Sequence, residues 1–260
     1  MREWILAETN YGYVKDHPYE VAVLPMGATE PHNLHLPYGT DTYQSVAIAE
    51  RACETAHNRG AKIVMLPAIP YGTETNLREF PLAINLQPST LQIVLRDIVD
   101  SLAQSGVFKL LILNGHGGND FKPLLREWYG ETAVHVFLCD WYRGMSADKQ
   151  REIFEDAGDH AGEMETSLML AYFADLVSTD NDGKLNADDG TMNATRFNAI
   201  NQNWVSITRP WHLLTANSGA GNPHPATAEK GYRLMDILVE RLSDFLVELS
   251  AAEIDERFPY

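Results

Sequence analysis

Four short apolar runs constrain this chain more than any other feature. They are VAVLPM (residues 21–26), KIVMLPAI (62–69), FKLLILNG (108–115) and AVHVFLCD (133–140). Each is rich in β-branched residues and leucine, and none alternates strictly between apolar and polar positions. A half-buried strand shows such alternation. A run without it reads as a strand covered on both faces, as in a parallel sheet. Helical patterns lie between the runs. DTYQSVAIAERACETAHNRG starts at a capping Asp41 and ends at Gly60, and STLQIVLRDIVDSLAQSG starts at Ser89 and ends at Gly106. Further helices are expected over about 122–129, 162–174 and 225–252. Strand and helix in alternation predict an α/β fold of three layers, α/β/α, around a mostly parallel sheet.

The length of 260 residues suits one large domain, with 45% hydrophobic residues to fill its core. Residues 176 to 225 break the pattern. They are rich in Asp, Asn, Gly and Pro, and read as an irregular insertion into a single domain spanning 1–260. Within it, DNDGKLNADDG lacks the acid and glycine spacing of an EF-hand loop. The net charge of −16 argues against nucleic acid as a partner, because phosphate binding needs a basic face. It fits a small neutral or cationic substrate, or metal ions. Cys53 and Cys139 form neither a disulfide framework nor a CxxC ligand set and read as free thiols in a reducing cytosol. The start of the chain turns polar after Leu6, and no segment reaches the roughly 18 apolar residues of a membrane span. The expectation is a cytoplasmic protein with no membrane partner.

Candidate chemistry gathers where runs end. GATEPHNLHLPYGTD (27–41) follows the first run and packs Glu30, His32, His35 and Asp41 together. NGHGGND follows the third run and supplies His116 and Asn119. DHAGEMETS supplies Asp159, His160, Glu163 and Glu165 at a helix start. Ligands of open α/β sheets bind at the carboxyl ends of strands, and adjacent parallel strands would bring the first two loops to one edge. Imidazole and carboxylate without thiolate suit Zn, Mn or Fe. In an extended segment residues i and i+2 point the same way, so Glu30 and His32 can reach one metal or two neighbouring ones. A carboxylate at Asp41 can bridge two cations with its two oxygens. Taken singly, His35 reads as a structural support, and Trp204, Trp211 and His212 as core or interface residues. NGHGG could instead be a turn that cradles phosphate, which leaves a non-catalytic phosphate- or nucleotide-binding protein as the alternative of another class. Metal content of the purified protein separates the two.

These motifs resemble the creatininase (creatinine amidohydrolase) family. LPMGATEPHNLHLPYGTDT is similar to the family's LPxGSxEQHGPHLPLxTDT, LILNGHGGN to its NGHGGN, HAGEMETSLML to its HAGxxETS, and GNPHPATAEKG to a late GxPxxAtaekG segment. The similarity runs from about residue 20 to 245 and is weakest at 178–215. It implies a flavodoxin-like fold, a homohexamer and a two-metal hydrolase of non-peptide amide C–N bonds. Glu30 and His116 would hold one metal and His32 the second, with Asp41 and a water or hydroxide bridging both. Creatininase itself has a glutamate where this chain has Gly118, so Glu165 is expected as the fifth ligand. His160 matches the general acid/base, while His35, Asn114 and Asn119 would stand behind the ligands. Glu74, Asn76, Arg78 and Gly117 are the expected substrate contacts. Asp156 and Ala157 replace the Trp and Asp that precede the HAG motif in creatininase, which argues against creatinine. A small cyclic amide or formamide is the expected substrate; a peptide, a lactone or a sugar-derived molecule is the alternative within the family.

Overall fold

The computed structural model describes residues 1–260. Its sheet has four parallel strands, β1 (Val21–Met26), β2 (Ile63–Met65), β3 (Lys109–Asn114) and β4 (His135–Asp140), in the order β2-β1-β3-β4. The helices are α1 (Tyr11–Val14), α2 (Thr40–Asn58), α3 (Pro88–Gln104), α4 (Lys122–Trp128), α5 (Ala147–Ile153), α6 (Glu163–Tyr172), α7 (Asn198–Asn201), α8 (Trp211–Leu214) and α9 (Ala228–Ala251). None is long and apolar enough to cross a membrane.

The pleat of the central strands divides the core in two. Successive strand residues point to opposite faces. Val21, Val23, Leu111 and Leu113 therefore pack with Ile48 of α2, Leu168 of α6 and Leu238 of α9. Ala22, Leu24, Leu110 and Ile112 pack with Leu95 and Val99 of α3 and Leu124 of α4. Every residue of β1 and β3 is buried, which is why neither run alternates in sequence. Each leucine or isoleucine so buried contributes roughly 1.5–3 kcal/mol of hydrophobic free energy. The result is the expected three-layer α/β/α arrangement.

Two strands differ from expectation. The run 62–69 forms a ladder only to Met65. Pro67 has no N–H to donate, and neither has Pro25 on β1, so the ladder parts there and returns as a single bridge between Met26 and Ile69. β4 is only half-buried because it is an edge strand. Phe258 near the C-terminus shields part of it, 4.6 Å from the His135 ring and 6.2 Å from that of Phe137. Short α5 carries no helical periodicity that the sequence betrays.

The long final helix ties the sheet to the site. Thr227 caps α9, its side chain accepting from Lys230 N at 3.3 Å. At the other end, buried Lys109 of β3 donates to Leu249 O at 2.9 Å, one of the carbonyls the helix leaves unpaired. Between them α9 crosses α6 at Gly231. A Cβ there would overlap the Ser167 carbonyl oxygen. Gly231→Ala should therefore lower stability by about 1–3 kcal/mol, although alanine is favoured over glycine by about 1 kcal/mol in a free helix. A urea titration that finds the variant as stable as wild type would refute this packing.

Candidate metal centre

The strand order places the loops after β1 and β3 side by side, where the crossovers leave in opposite directions. That is the switch point at which open α/β sheets bind ligands. The β1 loop brings Glu30, His32 and His35, and α2 opens with Asp41 in its first turn. The β3 loop brings His116. α6 brings Glu165, with His160 just before it. All are buried or nearly so.

Asp41 is the shared member. Its Oδ1 lies 2.9 Å from His32 Nε2 and its Oδ2 3.0 Å from His116 Nδ1. Glu30 Oε1 stands 2.9 Å from the same His116 nitrogen. Glu165 Oε1 stands 3.9 Å from His32 Nε2. The backbone fixes both tautomers. His32 Nδ1 donates to Glu30 O at 3.1 Å, and His116 Nε2 donates to Thr73 O at 3.1 Å. Each ring therefore turns its other nitrogen toward Asp41. Donating the other N–H to a carbonyl is how metal-binding imidazoles are usually oriented.

The residues fit divalent cations. Both oxygens of Glu30 and Oδ2 of Asp41 are buried and receive no hydrogen bond. Their contacts with His116 Nδ1 are close, but no N–H lies along them. Two donor triplets converge within ligand range of each other: Glu30 with Glu74 and His116, and His32 with Asp41 and Glu165. A third, of Glu30, His32 and His160, joins them. Gly118 is closed to a ligand-bearing side chain, since a Cβ there would overlap His116 Nε2 and Thr73 O.

Protons balance these charges when cations do not. Burial opposes a charged His32, but Asp41, Glu165 and Glu30 outweigh it and raise its pKa to about 10. His116 is likewise raised by Glu30 and Glu74 against the effect of burial. Burial disfavours the Asp41 carboxylate, yet His32 and His116 hold it below the usual range. Glu30 is raised by burial and by Glu74 and Asp41, and Glu165 is raised to about 7, chiefly by burial. His160 and His35 go the other way, lowered to about 3 and about 4, mainly by burial with His32 adding to it. His160 Nε2 donates to Pro31 O at 2.9 Å, so Nδ1 carries the lone pair, 3.9 Å from Glu30 Oε1. Its ring meets the edge of Trp211 at 5.1 Å.

The supporting residues sit one layer out. His35 Nε2 bonds Thr166 Oγ1 at 2.8 Å, away from the cavity. Asn114 bridges His116 O and Asp140 Oδ1, and Asn119 joins Thr73 N, Gly27 O and Asn114. The two asparagines lock three loops together. Within the β3 loop His116 N bonds Asn114 Oδ1, Gly115 N bonds Met26 O, and Asn119 N bonds His116 O.

Of the four expected substrate contacts, Asn76 and Gly117 line a cavity of about 310 Å³ above the cluster. Two are displaced. Glu74 is fully buried behind His116, its Oε1 2.8 Å from Nε2, because the chain at Gly72 pairs with Asn85 and turns the side chain inward. Arg78 lies in a neighbouring surface cleft with Thr208 and His212. Sequence reasoning did not single out Tyr142, Arg143 or Arg209, all on the cavity wall with Trp211, which it read as a core or interface residue. The irregular insertion delivers Arg209 and Trp211. It is stitched to the site by Ala220 N to His160 O at 2.8 Å and by Ser218 Oγ to Pro31 O at 2.9 Å. Trp204 remains 77% exposed, and Glu163 pairs with Lys230 away from the cluster.

The lowered His35 has a consequence for stability in acid. Its folded pKa of about 4 lies below the ordinary 6.5, so the unfolded chain binds the proton more tightly. The stability is intact above pH 6.5 and is lost as pH falls toward 4, at about 1.4 kcal/mol per unit. His35→Gln should flatten the fall of the metal-free protein's urea midpoint between pH 6.5 and 5. Equal slopes for the two proteins would count against it.

Comparison with known proteins agrees with this geometry. A solved structure of a Bacteroides fragilis protein, provisionally assigned as a creatinine amidohydrolase, is 38% identical with a TM-score of 0.89, over 98% of this chain and 100% of that one. A structure described as the manganese form of creatininase shares the fold at 24% identity and a TM-score of 0.76, over 96% of this chain and 99% of that one. The mycofactocin precursor peptide peptidase of Mycobacterium tuberculosis is 34% identical over 223 residues, 84% of this chain and 81% of its own. Residues 7–246 match the creatininase family, described as creatinine amidohydrolase, and the chain belongs to that family of metal-dependent hydrolases.

Proposed function

We propose that this protein hydrolyses a non-peptide amide C–N bond, in a small cyclic amide or a formamide, with two divalent ions of Zn, Mn or Fe. One observation carries the reading: two imidazoles share the Asp41 carboxylate beneath a neutral His160. His116 with Glu30 would hold one ion, and His32 with Glu165 the other, with Asp41 serving both. The bound ions would supply Lewis acidity, bringing water's pKa toward neutrality and polarising the amide carbonyl.

The protein's own groups then do the rest. His160 donates Nε2–H to Pro31 O and so presents the Nδ1 lone pair, which can take a proton from attacking water and return it to the leaving nitrogen. The Pro31 carbonyl keeps that tautomer in place. Trp211, packed on the imidazole edge, and buried Leu77 shield this side of the cavity from water. Glu74 acts through His116. The Thr73 carbonyl holds the imidazole in register, and the buried Glu74 carboxylate, 2.8 Å from Nε2, raises its basicity toward a cation by charge alone. A peptide substrate is the second reading, favoured by the 34% identity to a peptide peptidase.

A screen of cyclic amides, formamides, peptides and lactones against metal-loaded enzyme tests the function. One or two metal ions per chain and turnover of an amide are expected. Asp41→Ala should abolish turnover, and His160→Ala should lower it by about 100-fold or more with metal retained. A protein that binds no metal, or a His160→Ala variant with full metal and wild-type turnover, would sink the scheme. Separately, Glu74→Gln should weaken metal affinity about 10- to 100-fold in a chelator competition titration. Unchanged affinity would deny Glu74 its role.

A further inference from the structure

Nineteen residues line the cavity above the metal cluster, and Arg143 and Arg209 are the only lysines or arginines among them. They come from distant segments. Arg143 follows β4, and Arg209 precedes α8 in the insertion. Each guanidinium lies over an aromatic ring that also lines the cavity. Arg143 Cζ is 5.3 Å from the Tyr142 ring centre, and Arg209 Cζ is 5.8 Å from that of Trp211. Neither has a close acid partner. Arg143 forms no ion pair, and Arg209 comes no nearer to a carboxylate than 3.9 Å, at Asp159.

A guanidinium resting on a ring is held in place while its edge N–H donors stay free. That fork matches a planar carboxylate. In a chain of net charge −16, two arginines from distant segments converge on one cavity wall, with no carboxylate nearer than 3.9 Å to Arg209. The global charge favours a neutral or cationic substrate only at long range. Exposed charges beyond a Debye length, about 8 Å at physiological salt, are screened, so the groups lining the cavity decide. Glu30, Asp41 and Glu165 would be taken up by the cations, and Asp159, 3.9 Å from Arg209, is the one further carboxylate on the wall.

We propose that the substrate carries a carboxylate on the side of its amide away from the reacting bond, and that Arg143 and Arg209 bind it. This rests on the amidohydrolase reading and narrows it. An N-formyl amino acid is the smallest molecule that unites a formamide with such a carboxylate. A neutral ring such as creatinine has nothing to offer the two arginines.

Metal-loaded enzyme assayed for formate release from N-formylalanine and N-formylalaninamide, in which a neutral carboxamide replaces the carboxylate, provides the test. The acid should be preferred in kcat/KM by about tenfold or more, the worth of a charge-assisted hydrogen bond. Arg143→Gln and Arg209→Gln should each raise KM for the acid, and the double variant should erase the preference. Equal turnover of both compounds by wild type, or a preference that survives in the double variant, overturns the proposal and leaves the amidohydrolase reading standing. If neither compound turns over, calorimetric titration of N-acetylalanine and N-acetylalaninamide into metal-loaded wild type and double variant decides. Tighter binding of the acid that is lost in the double variant supports the arginines. No preference, or one that persists through direct capture by the metals, refutes them. Failure of the reaction itself would show separately, as no turnover of any amide in the wider screen.

Discussion

The arrangement turns on one buried carboxylate shared between two imidazoles. Asp41 lies in the first turn of α2, where the helix dipole favours negative charge, and each of its oxygens faces a different ring. His32 arrives from the loop after β1 and His116 from the loop after β3. The two can meet at Asp41 only because those strands are neighbours in the sheet. Burying several carboxylates together costs several kcal/mol per charge unless cations or protons compensate. The fold tolerates that cost at one edge and surrounds it with fully bonded asparagines. Asn114 and Asn119 make the loops rigid where the acids would otherwise push them apart.

The same residue type serves three purposes within a few ångströms. His32 and His160 have ring centres 4.1 Å apart, yet the first is pushed to a high pKa by Asp41 and the second to a low one by burial and by His32 itself. His35 is the support, bonded to a threonine of α6. Environment separates the rings: the one that sees carboxylates is pushed toward its charged form, and the one that sees another imidazole and a tryptophan ring stays neutral. Divergent environments acting on like groups are how a site separates ligand from base.

The sheet was legible because strands buried on both faces leave a continuous apolar record, and β1 and β3 match their runs almost residue for residue. β2 stopped early at a proline, a local event that hydrophobicity does not register. The site's acids and imidazoles were legible by type and crowding. Which of them touch was not. Glu74 looked like a substrate contact because its segment resembles the one that contacts substrate in the family. Its approach to His116, 42 positions later, depends on the Gly72–Asn85 pairing, which no local pattern announces. Tyr142, Arg143, Arg209 and Trp211 were hidden for a similar reason. They stand in segments without periodicity, and only the tertiary path of the chain brings them to one wall.

The stitching of the insertion has a consequence for how such a pocket can change. The segment that carries Arg209 and Trp211 is also the one whose Ala220 pairs with the backbone of His160, and whose Ser218 bonds the carbonyl that sets the His160 tautomer. The pocket wall and the His160 imidazole therefore share one piece of backbone. Exchanging this segment for a relative's would shift that imidazole along with the wall. New specificities in this scaffold are then reached more readily by altering side chains on the existing path than by replacing the path itself.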